Sequence, residues 1–252
     1  KGEILETEDR PSCAILNADD DYYKYWISLV EDIETLSFGL TNKADIFASN
    51  IKLYSTFTTF NLNLSNTCID ISLPLAGLHN VQNACAAAAV SVALDLNVKH
   101  IKSALENIQP VAGRLQPLMG INNSKIYNDT YNANPSSTIA AAKFLSSLDG
   151  DSWFVLGDMK ELGQSKKKFH YEVGALLQSN GIKRLFGFGD LTKESVNAFG
   201  DGAKWYSDLS ELINDLKEAD NKTNILVKGS RSMRMELIVE ALKLSETDKG
   251  EI

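Results

Sequence analysis

Ten residues, "NDTYNANPSS" (Asn128 to Ser137), crowd asparagines, an aspartate and a tyrosine between the apolar run "KIY" and a helical pattern. A carboxylate placed where a strand ends, as Asp129 would be, can accept hydrogen bonds from two sugar hydroxyls. Asn134 is the better helix cap, because Pro135 suits the first helical position and Ser136 and Ser137 complete the first turn. With capping assigned to Asn134, the residues Asp129, Tyr131 and Asn132 have no obvious structural task. Ligand contact is therefore favoured for them over plain turn chemistry.

Three further segments carry groups of similar interest. "GLHNVQN" places Asn80 and Asn83 three apart, on one face at a helix start. Free backbone N–H groups there favour phosphate, and carboxamides can read a nucleobase edge. A capping Asn80 beside an incidental Asn83 explains the pattern equally well. "VAGRLQP" contains Arg114, the only charge between Glu106 and Lys125. Its fork of donors could clamp phosphate oxygens, although a solvated loop arginine fits the spacing as well. "VKGSRS" joins Lys228, Gly229, Ser230 and Arg231 in a pattern suited to phosphate or carboxylate. The chain contains no G-x-x-x-x-G-K-[ST] phosphate loop, Ser-His-Asp arrangement or H-E-x-x-H zinc motif. His170 falls inside a helical pattern and reads as a surface or packing residue; His79, beside the asparagines, has a better claim.

These groups need a scaffold. "SCAILN" (12–17) reads as a buried strand and "DDDYYKYWISLVED" (19–32) as a helix with acidic residues at its positive end. "ETLSFGL", "DIFASNIKLY", "TTFNLNLSNT" and "CIDISLPL" read as antiparallel strands. Residues 78–96 and 98–108 read as helices, the first alanine-rich and suited to close packing. After Pro110 strands and helices alternate: strands at 125–129, 152–158, 183–189, 203–207 and 224–230, helices at 135–148, 165–180, from Thr192, 208–219 and 232–244. Such alternation predicts crossover connections and a mainly parallel sheet covered on both faces. Ligands then bind outside the carboxyl ends of the strands, so Asp129, Asp158, Lys228 and Arg231 should share one rim. A boundary is expected near 109–113, separating 1–108 from 109–252. The last residues, "SETDKGEI", read as a frayed tail.

Composition narrows the function. The chain has 252 residues, 44% hydrophobic and 23% charged, as in a soluble globular protein. A formal net charge of −8 argues against a nucleic-acid partner. Cys13, Cys68 and Cys85 show neither metal spacing nor an even count, and a reducing compartment fits best. The uncharged-looking stretch from Ile71 to Leu94 is interrupted by polar residues, so membrane insertion is not expected. "KGEILETEDR" is no signal peptide, and a cytoplasmic location follows.

Taken in order, "LPLAGLHNVQNACAAAAV", "VAGRLQP", "YNDTYNANPSS", "LGDMKELG", "HYEVG" and "LVKGSRSMRME" resemble the segments of the Mur ligases. "LNADDD" before an aromatic-rich stretch with Trp26 is also similar to that family's central domain. The resemblance covers nearly the whole chain. "DTYNANP" with "KGSRS" points to the branch that adds D-alanyl-D-alanine to a UDP-N-acetylmuramoyl tripeptide. It implies an ATP- and Mg²⁺-dependent amide ligase working through an acyl phosphate, with a partial central ATPase-type α/β domain followed by a Rossmann-like C-terminal domain. On matching positions, Asn80 and Asn83 would lie near the nucleotide, with Asn83 on the adenine. Arg114 would reach the ATP phosphates, Asp129 the ribose hydroxyls, and Tyr131 and Asn132 the loop beside the adenine. Asn134, Lys228, Ser230 and Arg231 would face the dipeptide.

The resemblance also implies upstream sequence. Family members carry an N-terminal UDP-binding domain, a P-loop and Mg²⁺ ligands before the point matching "KGEI". This chain reads as the C-terminal portion of such a ligase, inactive by itself, with no metal ligand of its own. Its first half is expected to be the less firmly held, or shielded by a second copy. Two alternatives stand beside this reading: a sister amide ligase, such as a folylpolyglutamate synthase, and a non-catalytic nucleotide- or dipeptide-binding module.

Overall fold

The computed structural model describes residues 2–5, 11–30, 32–41, 43–65 and 67–244; the tail expected at 245–252 lies outside these residues. The chain separates into two compact units, Lys1–Gln109 and Pro110–Ile252.

In unit one, strands β1 (Cys13–Asn17), β2 (Glu34–Gly39), β3 (Ile46–Leu53), β4 (Thr58–Leu64) and β5 (Thr67–Leu73) form one sheet in sequential order. Strict alternation in β4 turns Thr58, Phe60, Leu62 and Leu64 inward. Helices α1 (Tyr23–Ser28), α2 (Leu78–Ala93) and α3 (Val98–Glu106) accompany the sheet. Val81, Ala84, Cys85, Ala88 and Ala89 of α2 join Phe60, Leu62, Ile71 and Leu73 in the core, with Ile101 and Leu105 of α3. The alanines let the α2 backbone approach the sheet closely, which accounts for the run seen in the sequence.

Two expectations for this unit are corrected. The strands are not all antiparallel: β1, β2 and β3 run parallel, and only β3, β4 and β5 alternate direction. Residues 40–45 are too few to return the chain to the start of β2. Strand β3 therefore begins beside the end of β2, sharing only the pairs Phe38–Ile46 and Gly39–Phe47. The Asp45 carboxylate closes that junction by accepting from the Ser37 backbone N–H at 2.8 Å and its hydroxyl at 2.6 Å. These bonds hold the Asp45 pKa below the ordinary carboxylate value. The helix expected over 19–32 covers only Tyr23–Ser28, with no acidic residue in its first turn. Asp19 instead accepts from the backbone N–H groups of Leu40 and Thr41 and from the Thr41 hydroxyl.

Unit two is a six-stranded sheet in an α/β arrangement. Its strands are β6 (Gln116–Met119), β7 (Lys125–Asp129), β8 (Asp151–Gly157), β9 (Arg184–Phe188), β10 (Ala203–Tyr206) and β11 (Thr223–Lys228). The spatial order is β10-β9-β8-β11-β7-β6. All neighbours are parallel except the edge pair β6–β7. The connecting helices are α4 (Pro135–Ser146), α5 (Lys166–Ser179), α6 (Thr192–Phe199) and α7 (Leu209–Leu216), with α8 (Glu236–Leu242) after β11. Strand β6 carries no strand signature in the sequence, and its Pro117 is tolerated because the strand is an edge. The last helix, expected over 232–244, covers Glu236–Leu242 instead: Arg231–Met233 is a 3₁₀ turn, and Arg234 is left-handed at φ 52°.

The two faces of this sheet are covered by different helices. Ile126, Val155, Phe186, Tyr206, Ile225 and Val227 form one core with Leu212 and Leu216 of α7 and Ile238, Val239 and Leu242 of α8. Helices α4, α5 and α6 pack successively on one another, and Tyr127 meets Phe144 of α4 edge-on at 5.0 Å. The chain leaves β7 and β8 toward the α4–α5 group and leaves β11 toward α8. Connections thus diverge on both sides of β11. This is a topological switch point, where open α/β sheets form their ligand crevice.

His170 of α5 is fully buried and belongs to this scaffold. Its Nε2 accepts the Met159 backbone N–H at 2.9 Å, and its Nδ1 lies 2.6 Å from the Lys166 carbonyl oxygen. The pattern requires a neutral ring with the proton on Nδ1. Burial lowers its pKa, opposed mainly by the Lys166 carbonyl. Below about pH 6.5 the unfolded chain then binds a proton that the folded chain refuses, so stability falls as pH falls through that point. Urea titrations at pH 7.5 and 5.5 should show a loss that is smaller in His170→Gln, which cannot ionise. An identical pH dependence in the variant would exclude His170 as the source.

Candidate functional site

The rim is built around Lys228, the last residue of β11. In register, Lys228 lies beside Asp129 of β7 on one side and Leu156 of β8 on the other. Lys228 is 3% exposed. Its Nζ donates to Asp129 Oδ2 at 2.6 Å and to the Asn132 carbonyl oxygen at 2.9 Å. The other Asp129 oxygen accepts the Leu115 backbone N–H at 3.2 Å. Asp129 thus links three segments: its own strand, β11 and the loop before β6. A carboxylate offers about four lone-pair sites, so acceptor capacity remains after these two contacts.

The loop before β6 carries Arg114. Its guanidinium lies 4.3 Å from the centre of the Tyr131 ring. A cation–π contact of this kind holds the guanidinium over the ring while its N–H donors stay available to other partners. Gly113 makes the approach possible: it sits at φ +77°, a Cβ would lie 3.1 Å from the Tyr131 nitrogen, and its carbonyl accepts the Tyr131 N–H at 3.0 Å. Leu115 is left-handed at φ 50° and buried. A leucine rarely adopts this conformation, and here it aims its N–H at Asp129. Gly113 and Leu115 were not singled out from sequence. The glycine was visible beside Arg114; nothing local marks the leucine.

Asn134 caps α4. Its side chain accepts from the Ser137 N–H at 2.9 Å, and the Ser137 hydroxyl receives the Asn134 N–H at 3.2 Å. Asn132 Oδ1 accepts the Ala133 N–H at 2.8 Å. Asn128, buried beneath the loop, receives the Thr130 hydroxyl at 2.7 Å and so shapes the turn.

The rest of the rim is stitched internally. Ser230 is buried; its N–H donates to the Asp158 carbonyl at 3.1 Å and its hydroxyl accepts the Lys160 N–H at 2.8 Å. Asp158 sits at the end of β8, but its Oδ1 accepts the N–H groups of Leu191 and Thr192 at 2.9 and 3.1 Å. It is committed to the start of α6 rather than to the crevice. Arg231 is exposed, with Nη1 3.5 Å from Glu236. Lys228, expected to face a substrate carboxylate, turns its ammonium inward, because the register pairs it with Asp129.

In unit one, Gly77 is the cap of α2 at φ 93°, so Asn80 is not the cap. The Asn80 amide donates back to the Ala76 carbonyl at 2.7 Å. Asn83, on the same helical face, is exposed, and its side chain enters none of the described hydrogen bonds.

Two family models match this chain. The Mur ligase middle domain covers residues 1–91, and the Mur ligase glutamate ligase domain covers residues 113–231, a span that contains Arg114, Asp129, Lys228 and Arg231. The chain belongs to the Mur ligase family. Among relatives of this Mur ligase chain is the UDP-N-acetylmuramoyl-tripeptide–D-alanyl-D-alanine ligase of Escherichia coli, 36% identical over 251 residues, covering 98% of this chain and 55% of the relative. The enzyme of the same name from Buchnera aphidicola of Acyrthosiphon pisum is 35% identical over 96% of this chain and 54% of its own. A crystal structure of MurF from Acinetobacter baumannii superposes with a TM-score of 0.88 at 30% identity, covering 95% of this chain and 53% of that one. The chain thus spans about half the length of the relatives it matches.

Among the described residues of this Mur ligase chain, no three His, Cys, Asp or Glu side chains converge as a metal site, and no helix is long and apolar enough to cross a membrane.

Proposed function

We propose that this chain is the middle and C-terminal part of an ATP-dependent amide ligase that joins D-alanyl-D-alanine to a UDP-N-acetylmuramoyl tripeptide. The relatives named for that reaction support it, each aligning with nearly the whole chain. The observation that carries the reading is the arrangement at the β11 switch point: a carboxylate held by two donors, with an arginine held over an exposed tyrosine on the adjoining loop. A diol needs a fixed pair of acceptors, and phosphate needs a planar fork of donors. We assign Asp129 to the ribose, Arg114 to the phosphates, and Tyr131 and Asn132 to the base side. In unit one, Asn80 and Asn83 are assigned to nucleotide binding, with Asn83 the freer of the two. On the dipeptide side we place Asn134, Ser230 and Arg231. Of these, Arg231 alone carries a charge, and it is exposed.

In such a reaction, ATP phosphorylates the tripeptide carboxylate and the dipeptide amine displaces phosphate. The protein contributes by positioning reactants and stabilising charge on phosphoryl oxygens. The test uses protein from the complete reading frame, given ATP and the UDP-linked tripeptide. Phosphate release should require D-Ala-D-Ala and should not be supported by single amino acids. Release with glutamate and a folate acceptor instead would overturn the assignment in favour of a sister ligase.

A further inference from the structure

We infer that Lys228 is a positioning residue, which sets the Asp129 carboxylate and the Tyr131 loop for the nucleotide without touching it. The inference rests on the nucleotide reading of the rim. Two observations bring it out. The Lys228 ammonium is buried, with a side chain 4% exposed, against 17% for Asp129. Its described contacts, Asp129 Oδ2 and the Asn132 carbonyl, lie on either side of Tyr131.

Stability alone is a poor reason to keep such a pair. Desolvating two charges costs about as much as their attraction returns, and apolar replacement of both partners is often neutral or better. Geometry is the better reason. Leu115 N–H holds Oδ1 and Lys228 Nζ holds Oδ2. Donors on both oxygens fix the rotation of the carboxylate plane, which leaves the remaining lone pairs in set directions. A diol binding there meets acceptors that need no reordering, and that saving appears as affinity. By gripping the Asn132 carbonyl as well, the same ammonium anchors the segment carrying Tyr131, and with it the ring against which Arg114 stacks.

The experiment separates positioning from general support. Calorimetry on protein from the complete reading frame compares ADP with 2′,3′-dideoxy-ADP, which lacks the ribose hydroxyls. Wild type should prefer ADP. Lys228→Met keeps the stem and removes the charge; it should bind ADP about 10-fold more weakly, equivalent to about 1.4 kcal/mol, with a clearly smaller loss for dideoxy-ADP, which keeps only the loop contribution. In Asp129→Asn, adding Lys228→Met should cause a smaller further loss than Lys228→Met causes in wild type. An equal loss for both nucleotides, or no loss for either, overturns the inference while leaving the nucleotide reading intact. If wild type fails to bind ADP, or fails to prefer it over the dideoxy form, the ribose assignment falls and the inference falls with it. Thermal melting checks the fold of each variant. Should Lys228→Met not fold, Lys228→Gln, which retains a donor without charge, carries the same comparison.

Discussion

Asp129→Ala is expected to destabilise unit two by about 3–5 kcal/mol, the cost of stranding one member of a buried ion pair. The asymmetry of the pair makes this specific. Lys228 has a side chain only 4% exposed, so its ammonium cannot turn to water when Asp129 is removed. The Asn132 carbonyl remains as a partner but supplies no opposing charge. The Leu115 N–H also loses its acceptor, at a left-handed residue with little room to readjust. Asp129, at 17%, reaches solvent more readily, so Lys228→Met should cost less than Asp129→Ala. The double replacement should cost less than Asp129→Ala alone, since it leaves no charge stranded. Urea unfolding followed by the fluorescence of Trp153 and Trp205, both in unit two, would measure all three. A loss below about 1 kcal/mol for Asp129→Ala would place the pair with ordinary surface salt bridges and refute the argument.

Gly174→Ala should also be severe, at about 3 kcal/mol, the upper end of what overpacking usually costs. A Cβ on Gly174 would lie 2.1 Å from the Ser195 carbonyl oxygen and 2.6 and 2.7 Å from its Cα and carbonyl carbon. These are backbone atoms of α6, so no side-chain rotation relieves the clash. Ser195 is held in place as well, since its hydroxyl donates to the His170 carbonyl at 2.7 Å. Helices α5 and α6 would have to separate, opening the layer that covers one sheet face. Gly181→Ala is the control: nothing lies within 4 Å of its Cβ, and only its φ of +79° opposes the change. That substitution should cost about 1 kcal/mol. Equal losses at the two positions would show that helix spacing does not depend on Gly174.

Much of unit two could be read locally. Strands buried on both faces are short apolar runs, and helices between them announce themselves by caps such as Asn134-Pro135. Strand β7 was expected at 125–129 and runs over Lys125–Asp129. Strand β6 was missed because Pro117 argues against a strand until its edge position is known. Unit one was harder. Alternation shows which face of β2 is buried, but it is the same for parallel and antiparallel neighbours. The short link into β3 would itself suit a hairpin, and only the observed pairing shows the parallel direction. Acidic residues before α1 looked like dipole partners, yet Asp19 serves backbone N–H groups twenty residues further on.

The sequence by itself determined the chemical inventory of the rim, the strand ends on which it stands and the cap that frees Asp129 from capping α4. These depend on neighbours within a turn or two, where residue type and spacing are the whole of the physics. Only the tertiary structure decided what Lys228 does. Its partner is 99 residues away, and the pairing depends on β11 inserting between β7 and β8 in one particular register. A lysine at a strand end can reach outward to a ligand or inward to a neighbour. Burial and the carboxylate on the adjacent strand choose between them, and neither is written in the residues around it.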